Sequence, residues 1–512
     1  MRSTSVFKKI SELLSSSIYG LSAFLFAIIF IIVVFVDRSV EYLGSNVSIL
    51  PNLISVLIIV ALLVLGIRYR ERIKIRFTLK TILIVHLILF IIQVLVAYSV
   101  YFYTGWDAAT VRNTAFQMVE HADKLIGPFA MYYSYHVNQT TIAIFLSYIM
   151  RFFYDFGIGN YYFGTVLVSV LFVWLSSLFL TLSVRKLSKS DTTTLFAFIL
   201  FLFLGALSPW ITIPYSDTYA ILFPSFALFL YVYTRETKWF YPAMFLISLA
   251  SIFGTLIKPQ TIIVLIAVVI VEIIQAFQHW KKGILILSVL LMSILFAQKV
   301  TTEVYYKSIY TYDFGIIQGR NFTYTHYLMT GLNPVTYGAY YEADAILSYA
   351  TGTVEERETK NWEVIQDRLK DYGVLGYLDF SMHKILTNFN DGTFAWNGEG
   401  GFYVQTFDPT TPLSPFLRSL YYPDGSLHTV FFQFTQWLWL LILGLIPLNL
   451  LNKDKSNKAK LVIILSVIGI SLFTHLFEAR ARYLFLYLPF FVAAASLGFE
   501  TLINRFKKET LH

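Results

Sequence analysis

Cysteine is absent from the 512 residues, and charged side chains make up only 14% of them. The first absence removes disulfides, thiolate metal sites and cysteine nucleophiles. The second removes water as the main solvent, because a soluble domain of this size carries about 25% charged residues. No Walker A run, GxSxG elbow, kinase motif set or HExxH spacing occurs, so ATP-driven pumping, acyl-serine chemistry and dedicated zinc chemistry have no machinery in the chain. No internal repeat of the kind that builds many secondary transporters is evident. The first apolar run, Ile18 to Val36, follows Lys8 and Lys9 but is too long for a signal h-region and lacks a small-x-small cleavage site, so it reads as a retained helix.

What is present is hydrophobic length. With 57% hydrophobic residues, runs near the roughly 20 residues needed to cross a bilayer recur along the chain. They predict an all-α polytopic membrane protein with about twelve spans: 18–36, 50–67, 81–100, 161–184, 192–209, 217–234, 240–257, 260–278, 283–299, 429–451, 461–474 and 483–503. The net charge of +8 does not point to nucleic acid, because the basic residues sit in short clusters between apolar runs. Lys8 and Lys9, the Arg68 to Lys80 cluster with Arg70, Arg72 and Lys74, Arg185 and Lys186, Arg235 and Lys238, Lys281 and Lys282, Lys453 to Lys460, and Arg505 to Lys508 all fall on one side. Together they exceed half of the 39 Lys and Arg residues. The positive-inside bias makes that side cytoplasmic, with both termini there.

Four segments follow: a two-helix N-terminal addition over 1–80; a seven-helix membrane module over 81–299, with a long first outer loop at 101–160; an extracytoplasmic domain over 300–428; and a three-helix segment over 429–512. The first outer loop contains QTTIAIFLSYIMRFF, too short to span and closed by Arg151, which reads as an interfacial helix. The outer domain carries 15 acidic against 8 basic residues between Glu303 and Asp424. Its Gly, Pro, Asn and Tyr content suggests irregular structure around a few helices such as VEERETKNWEVIQDRLKDYG.

Ionisable residues near membrane depth are expensive and mark function by default. Here Asp107, Asp217, Lys258, Glu478, Arg480 and Arg482 all fall at the predicted outer ends of spans or in adjoining loops. Asp107, in GWDAATV, is either a helix cap or a carboxylate able to take a proton from a hydroxyl. Asp217, in IPYSDTYA, offers the same choice. Lys258, in GTLIKPQ, is either a snorkelling cation or a phosphate ligand. EARARYLF joins Glu478, Arg480, Arg482 and Tyr483, which form either an interfacial anchor or a bidentate grip on phosphate. A hard divalent ion, Mg2+ or Mn2+, held by Asp107 and Asp217 with phosphate oxygens is the one metal chemistry left open. His86, Gln93 and Glu272 are the few polar groups inside the spans. They are the features on which an alternative reading, a flippase or transporter of a lipid-linked or polar solute, would rest.

Asp107 in the first outer loop, Asp217 in the next, Lys258-Pro259 after a later span and E-x-R-x-R-Y at Glu478 to Tyr483 occur in an order that resembles the GT-C superfamily of membrane glycosyltransferases, in particular the branch of protein O-mannosyltransferases and aminoarabinose transferases. The resemblance covers about residues 81–503. It implies a GT-C-like fold, a polyprenyl-phosphate-linked sugar donor, and inverting transfer to a hydroxyl of a cell-wall polymer, glycolipid or protein at the extracytoplasmic face. Carried over, Asp107 would be the base or acceptor-orienting carboxylate. Lys258, Arg480 and Arg482 would bind the donor phosphate, Asp217 would assist acceptor or metal, and Glu478 and Tyr483 would support. One departure is that Ala108 follows Asp107 where some relatives carry a second acidic residue.

Overall fold

The structure, a computed structural model, describes residues 2–36, 38–40, 45–47, 49–69, 76–120, 128–400, 403–407 and 411–509. Arg70, Arg72 and Lys74 lie outside the described residues. The protein is a multi-pass integral membrane bundle. Among the described residues eight helices are long and apolar enough to cross a membrane, and Asp191–Ala206 and Phe240–Gly254 are shorter apolar helices. The solvent these helices expect is written on their surfaces. Leu50, Leu57, Leu62 and Val64 on the Ile49–Tyr69 helix, and Leu83, Leu87, Ile91 and Leu95 on the Leu79–Val100 helix, are exposed, which is stable only against hydrocarbon.

The centre of the bundle is the Leu488–Glu509 helix, in which Leu488, Phe490 to Ala495 and Leu497 are fully buried. Small residues let neighbours close in on it. A Cβ at Gly498 would sit 2.1 Å from the Leu445 carbonyl oxygen, so the His428–Leu445 helix packs backbone to backbone there. The N-terminal Arg2–Phe35 helix packs on Ile446–Leu451 and Lys458–Leu476, and Ile49–Tyr69 packs on His428–Leu445. The two leading helices therefore dock onto the C-terminal segment rather than standing apart. The Trp280–Thr311 helix runs unbroken through the expected boundary at 299.

Helix ends place the polar residues. Asp107 follows the Leu79–Val100 helix, Lys258 follows Phe240–Gly254, Glu478 follows Lys458–Leu476, and Asp217 precedes Leu222–Thr234, so successive antiparallel crossings deliver all four to one end of the bundle. That end is covered by the Thr140–Asp155 helix and by the 300–428 region, whose longest helix is Val354–Phe389. The latter opens with a capping box between Thr353 and Glu356 and kinks at Gly373, where φ is 53°. The all-α expectation holds for the membrane bundle, which two short antiparallel ribbons accompany. Arg38–Val40 pairs with Ser45–Val47, and Phe102–Thr104 pairs with Tyr403–Thr406, tying the 101–160 segment to the 300–428 region.

Candidate active site

Beneath this cover lies a cavity of about 1030 Å³. Its wall includes Asp107, Lys258, Glu478, Arg480, Arg482 and Tyr483, drawn from stretches more than 350 residues apart in the chain. Asp107 sits in the first turn of the Trp106–Glu120 helix, inside rather than capping it, where the helix dipole favours a carboxylate. Trp106, with φ at 47°, makes the turn into this helix. Arg482 stacks over the Trp106 ring at 4.4 Å, and Trp106 Nε1 donates to the Glu399 carbonyl at 2.9 Å.

Lys258 is 5% exposed and donates to Asp217 through a short hydrogen bond, with its ammonium 4.1 Å from the centre of the Tyr483 ring. Burial pushes its pKa down, partly offset by Asp217, to about 8. Asp217 is 1% exposed, lies behind the cavity wall, and also faces Arg482 at 3.7 Å. Its carboxylate is thus already engaged by two cations. Among the described residues no group of three or more His, Asp or Glu is arranged for a metal. The donor set does not fit an ion shared by Asp107 and Asp217.

The Glu478 to Tyr483 segment folds back on itself. Arg480 Nε donates to Glu478 at 3.0 Å and the Tyr483 hydroxyl donates to Glu478 at 3.2 Å. Burial works against the Glu478 carboxylate, but Arg480, with Arg482 behind it, more than offsets it and holds the pKa below the usual carboxylate range. Glu399, which the sequence reasoning did not single out, lies 2.9 Å from Arg480 Nη1 and 2.9 Å from Arg482 Nε. A glutamate between glycines in NGEGG carries no periodic or spacing signal, so only the fold reveals it. The far wall is aromatic: Phe322 stacks on His326 at 4.0 Å and meets Tyr349 at 5.0 Å. His326 Nδ1 is hydrogen-bonded to Ser348 at 2.8 Å, and burial pushes the His326 pKa down to about 4, leaving a neutral imidazole.

Of the polar groups within the spans, His86 and Glu272 are paired in place, while the Gln93 side-chain oxygen is buried without a partner. His86 bonds to the Ile82 carbonyl and Ser177, Gln93 donates to the Ala206 carbonyl, and Glu272 is clasped by Arg235 and Tyr231.

A family model described as "Conserved hypothetical integral membrane protein" matches residues 6–503. No curated protein matches the chain. Among solved structures, the "Crystal Structure of ArnT from Cupriavidus metallidurans bound to Undecaprenyl phosphate" is similar at 12% identity, covering 85% of this chain and 80% of that one, with a TM-score of 0.28. A superposition that loose carries no argument about chemistry.

Proposed function

The chain belongs to the family of conserved hypothetical integral membrane proteins, and from that premise we propose that it is a GT-C-type glycosyltransferase, moving a sugar from a polyprenyl-phosphate carrier to a hydroxyl of an extracytoplasmic glycan, lipid or protein. The observation that carries the reading is the meeting of Asp107 with Lys258, Arg480 and Arg482 around one cavity at one end of the bundle. A carboxylate facing cations across a space of this size matches what inverting transfer from a phosphate needs. Asp107 accepts the proton of the acceptor hydroxyl as its oxygen attacks the anomeric carbon. The bond from that carbon to the phosphate oxygen breaks, and the electron pair leaves with the polyprenyl phosphate. Lys258 and the two guanidiniums meet the charge growing on that oxygen, in a site where water is scarce and each contact counts for more. Asp217 acts through Lys258, holding the ammonium in place, and no step passes through a metal.

In this reading the chain crosses the membrane about twelve times with both termini cytoplasmic, and the segments 1–80, 81–299, 300–428 and 429–512 serve as addition, catalytic module, outer cover and closing helices. The pairing of His86 and of Glu272 with neighbouring side chains favours transfer over translocation, since a solute path would need such groups free. The test is Asp107→Asn in purified protein given radiolabelled polyprenyl-phosphate sugar. Transfer falls by roughly 10²–10⁴-fold, the usual worth of a general base, while membrane insertion is unchanged. Full activity of the variant rejects the role.

A further inference from the structure

The charges at the cavity do not leave a seat free for phosphate. Each cation already has its anion: Lys258 has Asp217, Arg480 has Glu478 at 3.0 Å and Glu399 at 2.9 Å, and Arg482 has Glu399 at 2.9 Å and Asp217 at 3.7 Å. Asp107 adds a fourth carboxylate to three cations. A phosphate monoester bringing about 1.5 to 2 further negative charges into side chains this buried would face repulsion and lost hydration together. One carboxylate has to give way.

The three paired carboxylates differ in how firmly they are held. Asp217 is 1% exposed, hydrogen-bonded to Lys258, and set in the Ser216–Ala220 helix behind the wall. Glu478 accepts from both Arg480 and Tyr483. Glu399 is held by two ion pairs at 2.9 Å from a less regular backbone. Its Oε1 has no aligned hydrogen-bond donor, and Arg482 Nε and Nη1 have no aligned acceptor although all are buried. Its backbone belongs to the irregular turn Trp396–Gly400, flanked by Gly398 and Gly400 and preceded by Phe394 and Ala395 at positive φ. One Glu399 oxygen lies toward each guanidinium, which is how two oxygens of a phosphate would span the same pair.

We propose that Glu399 is an exchangeable counter-ion occupying the seat of the donor phosphate between Arg480 and Arg482, and that a phosphate-bearing lipid binds by displacing its carboxylate. This rests on the reading of the cavity as a phosphate site. Until the lipid arrives, Glu399 keeps two guanidiniums from repelling each other. Once it is displaced, the flanking glycines let the carboxylate swing aside.

The experiment measures binding of undecaprenyl phosphate, undecaprenol and inorganic phosphate to the full-length protein in detergent, for the wild type and Glu399→Gln. The exchange predicts that E399Q binds undecaprenyl phosphate roughly tenfold tighter or more, as expected when a buried competing charge is removed. Undecaprenol affinity does not change. A parallel gain for inorganic phosphate assigns the seat to the phosphate itself, and a gain for the lipid alone assigns it to phosphate presented from the membrane. Equal or weaker lipid-phosphate binding by a normally melting E399Q overturns the proposal and leaves Glu399 a structural clamp. If E399Q melts early, Glu399→Asp decides: it keeps the charge but is too short to bridge both arginines, so exchange predicts tighter binding and a clamp predicts weaker. If neither wild type nor variant binds the phospholipid above undecaprenol, the phosphate reading of the cavity fails instead.

Discussion

Lys258 is the residue on which pH acts most directly. Burial lowers its pKa to about 8, against about 10.4 for a lysine in the unfolded chain. Between those values the unfolded state holds more protons, so the contribution of this residue to stability rises with pH while its positive charge in the folded site is lost. The groups facing it are Asp217, Arg482, Glu399 and the Tyr483 ring, and the arginine does not titrate in this range. Undecaprenyl-phosphate affinity is therefore expected to fall several-fold as pH passes through about 8, and Lys258→Met should bind weakly with no such step. A titration of lipid binding from pH 7 to 9.5 checks both. The sequence exposed Lys258 because Pro259 ends the helix beside it. It did not reveal that Asp217 turns toward Lys258 rather than toward the cavity, because partner choice depends on how the Ser216–Ala220 helix is seated.

At the level of the element, the Phe477 to Arg482 segment is shaped by what grips it from the 300–428 region. Lys384 donates to the Phe477 carbonyl at 2.8 Å and to the Gly331 carbonyl, the Ala479 N–H donates to the Gly338 carbonyl at 2.7 Å, and Asn388 donates to the Thr474 carbonyl at 3.1 Å. A Cβ on Gly331 would lie 2.6 Å from the Phe477 oxygen, so the two backbones meet where only glycine fits. Burial pushes the Lys384 pKa to about 7, with Glu478 opposing the shift. Lys384→Met leaves two buried carbonyls without a donor and should cost about 1–3 kcal/mol for each group left unsatisfied. A lower melting temperature with weakened lipid-phosphate binding is the expected outcome. Gly331→Ala should do the same by displacing the segment, and unchanged binding in both variants would mean that the arginines hold their place without this grip. The EARARY pattern was legible because it sets a carboxylate and two arginines at a span end on the side away from the basic clusters. Lys384 was not, since in FSMHKILTNF it reads as one more polar position on a surface helix.

For the whole molecule, composition carried most of the fold. The eight long apolar helices follow from runs that hydropathy detects at once. What it misses is backbone irregularity. The 192–209 run is an α-helix to Phe201, a wider turn over Leu202–Ala206 and a tight turn over Pro209–Thr212, and the 217–234 run breaks at Ile221. Averaged hydrophobicity does not register where Gly205 and Pro209 bend a chain. At the end of the bundle away from the cavity, Arg235 and Glu272 form a buried bidentate pair at 2.5 and 2.7 Å, with the Tyr231 hydroxyl donating to the same carboxylate. Glu272→Ala strands a buried guanidinium and should cost about 3–5 kcal/mol, seen as a lower melting temperature in detergent. Transfer per folded molecule should be unaffected, because the pair lies at the opposite helix ends from Asp107.

The short ribbon that joins Phe102–Thr104 to Tyr403–Thr406 also sets a schedule for biosynthesis. While the ribosome is still making the middle of the chain, the strand beside Asp107 has no mate. The wall that faces it arrives only with Glu399, and the arginines later still. That ribbon can close before the arginines have been made, so the wall around Asp107 is complete only when translation is nearly done.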